Sequence, residues 1–357
     1  MGKRAKAGVC LEALVKMAIP LLREAERQCP RTGPGAKPEV PDWLIGVLIM
    51  TAMLKRKKTK AAQFRFVTDP ANRPRLAAVL GRNDFLARSG WYRRYGRAYR
   101  LFQTAIRLQG EKAMTEGVAD PQHVAVDKSL IEAQGPPWHK RDRERGKIPV
   151  GVDQDSTWGY SEHDGWVQGF SYEVVVSATK NTVVFPLLAS VDSASAAEVR
   201  TFADKIPQLP VNTETVSLDS GYDANVLGER VEWNENGRRT GRRFLCPENP
   251  RHSGRKKTQR CAADASRAHS RHLRRQRKQF WESPRGRRLY ARRKKTVEPF
   301  HQWFKSLFEL DLKVWHRGLE NNRTQILASM FAYQLLVRFN HRHGRQNGRV
   351  KWIMDAL

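Results

Sequence analysis

Three carboxylates pose the chemical question. Asp127 closes the run His123-Val-Ala-Val-Asp127, and Asp219 closes Thr215-Val-Ser-Leu-Asp219. Short β-branched runs of this kind read as buried strands, so each acid emerges where a strand of an α/β sheet ends, the edge at which such sheets bind ligands. Glu298 comes from a different pattern, in which Val297, Phe300, Phe304 and Leu307 recur at helical spacing and leave Lys294, Glu298 and Lys305 on a neighbouring face. Phosphodiester chemistry with two divalent ions needs a few carboxylates converging on metals about 4 Å apart, which activate the attacking oxygen and stabilise the leaving one. Hard oxygen donors select Mg2+ or Mn2+. Taken singly, each acid has a plainer reading: an aspartate after a strand is commonly a turn or capping residue, and a glutamate among lysines a salt-bridge partner. Asp223 rivals Asp219 but falls past the strand end and reads as a cap for the next helix. Asp153, Asp155 and Asp164 read as turn residues.

The elements that would carry these acids divide the chain. Residues 1–118 show helical periodicity, with apolar clusters at Leu11, Leu14, Val15 and Ile19 and again from Pro41 to Leu54, separated by a Pro/Gly-rich break. This is expected to be an all-helical, DNA-binding domain. Its helix opening at Ser89-Gly-Trp91 interleaves Arg93, Arg94, Arg97 and Arg100 with Tyr92, Tyr95 and Tyr99, as a DNA-contacting helix would or as a solvated basic face would. From 123 onward come strand-like runs: His123 to Asp127, Phe170 to Ala178, Thr182 to Val191, Thr215 to Asp219 and Arg243 to Cys246. Helical patterns at Ala194 to Ile206 and Ala224 to Trp233 separate the later ones. Three strands followed by alternating helices and strands imply a mixed α/β sheet over 119–345, with a tail at 346–357. Pro136 to Gly169 reads as a loop. Pro299 is expected either to start the helix of Glu298 or to kink it.

Charge narrows the partner. The 357 residues contain 65 Lys and Arg against 36 Asp and Glu, a formal charge of +29 that points to a polyanion. Segment 238–295 holds 22 of those cations and only Glu248, Asp264 and Glu282 as acids, so it is expected to be the main electrostatic contact with DNA, through Arg274, Arg275, Arg277 and Lys278 in particular. No apolar run is long enough to span a bilayer, and Glu12 and Lys16 interrupt the stretch a signal peptide would need, so no membrane partner is expected. Cys10, Cys29, Cys246 and Cys261 lack close pairing, which suits a reducing cytoplasm. Cys246, Cys261, His269 and His272 make a poor zinc set without a CxxC pair. Trp281 is the candidate for stacking on an unpaired base, and Trp303 is expected in the core beside Phe300 and Phe304.

The segments Val124-Ala-Val-Asp127-Lys-Ser-Leu-Ile-Glu-Ala, Leu218-Asp219-Ser-Gly-Tyr222-Asp223 and Tyr290-Ala-Arg-Arg293-Lys-Lys-Thr-Val-Glu298-Pro-Phe, with Lys305, resemble the three motifs of the DDE transposases of bacterial insertion sequences. The resemblance spans roughly 120 to 340 and includes Trp158-Gly-Tyr160 and Arg317-Gly-Leu319. It implies an RNase H-like core behind the helical domain. It makes Asp127, Asp219 and Glu298 the catalytic and metal-binding triad for two Mg2+ or Mn2+ ions, with Tyr290, Arg293 and Lys305 near the transposon-end phosphate. Four residues separate Arg293 from Glu298 where the family has three, so Lys294 competes for the arginine's place. The activity implied is metal-dependent cleavage at transposon ends and transfer of the freed 3′ hydroxyl into target DNA, by a homodimer or larger assembly on DNA in the cytoplasm, associated with the nucleoid. The alternatives are an inactive transposase-derived DNA-binding protein and an RNase H-like nuclease without strand transfer.

Overall fold

The computed structural model describes residues 10–29, 38–83, 85–180, 182–249, 265–345 and 348–357. Cys261 and much of the Pro30 to Pro41 break lie outside the described residues, as do residues 250–264 of the basic segment.

Six helices come first: α1 (Leu11–Gln28), α2 (Asp42–Leu54), α3 (Lys60–Thr68), α4 (Arg73–Leu80), α5 (Arg88–Tyr95) and α6 (Tyr99–Thr115). α2 is buried on every side, as its unbroken apolar composition requires. The Arg- and Tyr-rich helix is broken in two at Gly96–Ala98, and its members face different ways. Tyr95 is buried, with its hydroxyl 3.0 Å from His316 Nε2, Arg94 is paired with Asp42, and Tyr92, Arg93, Arg97 and Arg100 are exposed.

The sheet is built from β1 (His123–Glu132), β2 (Thr157–Ser161), β3 (Gly165–Ser177), β4 (Pro186–Ser193), β5 (Thr215–Ser217) and β6 (Arg243–Leu245). β1, β3 and β4 form an antiparallel meander, and β5 and β6 add in parallel on the far side of β1. The order β4-β3-β1-β5-β6 is the mixed RNase H-like sheet expected, with β2 as an extra strand on the first half of β3. β2 corrects the loop expected from Pro136 to Gly169, which also holds the short helix α7 (Lys140–Glu144). The later helices are α8 (Glu198–Ala203), α9 (Asn225–Glu232), α10 (Ala265–Glu282), α11 (Pro284–Leu307), α12 (Leu319–Arg342) and α13 (Lys351–Ala356).

α11 neither begins nor stops at Pro299. It starts at Pro284 behind the cap of Ser283, whose hydroxyl accepts the Gly286 N–H at 3.0 Å. Pro299 deprives only the carbonyl of Lys295, an exposed residue, where water can replace the missing bond. α12 is buried from Thr324 to Asn340 between the sheet and the amino-terminal helices. Gln334 shows the join, since its amide donates both to Ile106 O of α6 and to Pro186 O of β4. One continuous apolar core therefore runs across residue 118, and the helical part is seated on the sheet through α6 and α12.

Candidate active site

Strand register brings the two aspartates together. β1 and β5 pair in parallel as His123↔Thr215, Val124↔Val216 and Ala125↔Ser217. Continued for two residues in each chain, that register sets Asp127 opposite Asp219. Asp127 does not end its strand, as the sequence pattern suggested. β1 runs on to Glu132 paired with β3 alone, so the edge of β1 facing Asp219 is unpaired beyond Ala125. Asp219 opens a tight turn, Ser220–Tyr222, with its Oδ1 accepting the Gly221 N–H at 2.9 Å.

One cation serves both acids. Arg293 of α11 is buried, and its Nη2 lies 2.8 Å from Asp127 Oδ1 and 3.7 Å from Asp219 Oδ2. His301, two turns further along α11, sets its Nε2 3.4 Å from Asp127 Oδ2, while its Nδ1 is 2.8 Å from the Tyr172 hydroxyl. These neighbours split the two carboxyls. Burial pushes Asp127 up, but His301 and Arg293 outweigh it and hold the group below the usual carboxylate range. Asp219 is raised, first by burial and then by the charge of Asp127, against the opposing pull of Arg293.

A further acid, which the sequence reading passed over, stands beside them. Glu198, the first residue of α8, lies so close to the Asp219 turn that a Cβ at Gly221 would overlap its Oε2 and sit 3.1 Å from Asp219 Oδ1. Burial, followed by the charge of Asp219, raises its carboxyl to about 7. A glutamate in the first turn of a helix after a strand is the one available sequence signal, and it is shared by many residues with no site role.

The other expected residues separate by helix face. Glu298 lies five residues beyond Arg293, about 140° around the helix. It is exposed. Lys294 is exposed; Tyr290 is half-buried and edge-on to Trp281 at 6.1 Å. Lys305 lines a cleft with Trp158, Trp166 and Leu130 and donates to Leu130 O at 2.7 Å. Trp303, expected in the core, is 56% exposed, because Phe300, Phe304 and Leu307 already fill the inward face. Trp281 is half-buried against Tyr290.

The basic segment also sorts itself. On α10, Arg274 reaches Asp223 at 2.6 Å, Lys278 reaches Glu248 at 2.9 Å and Arg277 reaches Glu232 at 2.9 Å; Arg275 is exposed. Three of these four cations thus fasten α10 to the end of the Asp219 turn, to α9 and to the segment after β6. On α11, by contrast, Arg285, Arg287, Arg288, Lys294 and Lys295 are all exposed, and among the described residues none of them pairs with a carboxylate. This unpaired basic surface leads along one helix to Glu298.

A divalent ion is tested by what Asp127 and Asp219 offer. Their donors are hard oxygens, their burial and mutual repulsion leave surplus negative charge, and a cation already sits between them in the form of Arg293. The pair fits a Mg2+- or Mn2+-type ion. Among the described residues no group of three or more His, Cys, Asp or Glu is arranged to hold a metal, in keeping with the outward side chain of Glu298. The Cys246 thiol donates to Asp219 O at 2.8 Å.

The transposase DDE domain profile matches residues 119–335, from the strand of Asp127 into α12. The chain belongs to the transposase DDE domain family. Among solved structures it is similar to a piggyBac transposase synaptic complex with hairpin DNA, seen by cryo-EM. That match has a TM-score of 0.43 and 11% identity over 99% of this chain and 80% of the other. No curated protein matches the chain. Among the described residues no helix is long and apolar enough to cross a membrane.

Proposed function

We propose that this chain is an active insertion-sequence transposase, cutting DNA at the ends of its element and joining those ends to target DNA. The observation that carries the reading is the parallel register that sets Asp127 opposite Asp219 inside a DDE domain. Asp127, Asp219 and Glu298 would hold the metal; when bound, Mg2+ or Mn2+ would supply the activation of the attacking oxygen and the stabilisation of the leaving one. The chain's own work is to place and neutralise. Arg293 compensates the aspartates, His301 stands 3.4 Å from the second oxygen of Asp127, and the β1–β5 edge sets the two carboxyls side by side. A turn of the exposed Glu298 side chain toward them as DNA settles along α11 completes the triad.

DNA phosphates are expected along the unpaired cations of α11, because a cation already bonded within the protein must give up a carboxylate before it can take a phosphate. Tyr290, Arg293, Lys294 and Lys305 flank the cut site in this reading, and the amino-terminal helices contribute recognition of the end sequence. Work on two ends implies a homodimer or larger assembly on DNA, in a bacterial cytoplasm and with the nucleoid. Incubation of the full chain with a terminal-repeat duplex and Mg2+ tests the proposal. Cleaved and joined products support it, cleavage without joining indicates a nuclease, and binding without cleavage indicates an inactive descendant.

A further inference from the structure

Beneath the catalytic pair lies a carboxylate with no place in the chemistry proposed above. Glu173 of β3 is 2% exposed and pairs in register with Lys128, the neighbour of Asp127. Its Oε2 accepts the Tyr222 hydroxyl at 2.8 Å and the Thr201 hydroxyl at 2.7 Å, and its Oε1 accepts Lys205 Nζ at 2.6 Å. Lys205 also donates to Thr201 O at 2.9 Å and to Ser190 Oγ. Lys205 and Tyr222 are both buried. The Tyr222 ring stands edge-on to Phe202 at 6.0 Å.

One buried anion therefore ties three segments: the middle of β3, the helix α8 with the residues after it, and the Ser220–Tyr222 turn that starts at Asp219. A buried ion pair of this kind is no cheap source of stability, since apolar residues of similar volume often do as well. What it provides is direction. Asp219 follows a three-residue strand and opens a single turn, and Tyr222 anchors the far end of that turn to the sheet by a side-chain hydrogen bond to a charged acceptor. A shift of about 1 Å in a reacting group is enough to cost a factor of about 100 in rate.

We propose that Glu173 and Tyr222 are positioning residues for Asp219, with the Tyr222 hydroxyl as the link that keeps the Asp219 carboxylate opposite Asp127. This rests on the reading of Asp219 as a catalytic metal ligand. The test compares two full-length variants that each remove one hydroxyl from the same oxygen of Glu173: Tyr222→Phe, on the Asp219 turn, and Thr201→Val, on α8. Three quantities are read for each: melting temperature, Mn2+ affinity by electron paramagnetic resonance, and the rate of end cleavage at saturating DNA with its half-saturating Mg2+.

Both variants should melt at similar temperatures and bind end DNA as the wild type does. Tyr222→Phe should bind Mn2+ more weakly, need more Mg2+ and cleave at least about tenfold more slowly, whereas Thr201→Val should stay within about threefold of wild type on these readouts. If Tyr222→Phe matched wild type in Mn2+ affinity and cleavage, or if both variants lost them only in step with melting temperature, the positioning role would be wrong while the functional reading stood. A wild-type protein that neither bound Mn2+ nor cut DNA would overturn the functional reading, and this proposal with it.

Discussion

Replacing Arg293 by Met should turn a metal-tolerant protein into one that depends on metal for stability. The side chain is buried and a single nitrogen lies 2.8 Å from one aspartate and 3.7 Å from the other. At about 4 Å and an effective dielectric near 20, one such attraction is worth about 4 kcal/mol before desolvation is subtracted. The Asp219 side chain is 38% exposed, so solvent screens its share and Asp127 dominates. Removing one partner of a buried pair costs about 3–5 kcal/mol, and methionine keeps the volume while leaving two close carboxylates uncompensated. A divalent ion at about one hundred times its dissociation constant should return about 2.7 kcal/mol. The assay is chemical denaturation of wild type and Arg293→Met in EDTA and in excess Mg2+. The expected result is a wide gap in EDTA that narrows in Mg2+. Equal stabilities in EDTA, or a gap that Mg2+ leaves untouched, would refute the argument that these carboxylates need a cation between them.

Two further outcomes are expected. Changing Arg285, Arg287, Arg288 and Lys295 to Gln should lower the slope of log affinity against log salt for end DNA by about 0.9 per lost phosphate contact, whereas Arg274→Gln with Lys278→Gln should leave the slope nearly unchanged. The reverse pattern in filter-binding titrations would move the DNA to α10. His316, which faces the Tyr95 hydroxyl and the charge of Lys60, has its pKa lowered to about 3, first by burial and then by Lys60. The unfolded state therefore takes up a proton that the fold refuses, so stability is fully present above the unfolded value of 6.5 and falls as pH drops from there toward 3. The slope is about 1.4 kcal/mol per pH unit over that window; acid titrations of His316→Gln should lose most of it, and an unchanged acid limb would show that His316 is protonated in the fold.

Each aspartate alone reads as a turn or cap, and it was the pair that was legible: two short buried runs each leading to an acid put both at one sheet edge, and parallel pairing of β1 with β5 brings them side by side. Glu298 was legible as a motif, while its setting was not: it is exposed, about 140° around α11 from Arg293 and about 60° from His301, so it flanks the face that meets Asp127. β2 hid from period-two reading because it and β3 close an edge hairpin whose Tyr160 and Trp166 are 55% and 69% exposed, so no buried face alternates along it. Paired cations on α10 and unpaired cations on α11 look alike in sequence, since their partners Asp223, Glu232 and Glu248 arrive from elsewhere in the fold. Glu198 and Glu173 were silent for the same reason. The boundary near residue 118 coincides with the end of α6, but α12 carries the core across it, a contact made over more than two hundred residues of chain.

In the proposed function Asp219, set opposite Asp127 by strand register, is a ligand of the reacting centre, while Asp223, four residues on and bonded to Arg274, is not. The most direct measurement is Mg2+-dependent cleavage of end DNA by Asp219→Asn and Asp223→Asn, with DNA affinity measured alongside. Asp219→Asn should bind DNA at least as well as wild type, because carboxylate repulsion of phosphate is relieved, and should not cut. Asp223→Asn should keep appreciable cleavage. Cutting by Asp219→Asn together with its loss in Asp223→Asn would contradict the assignment.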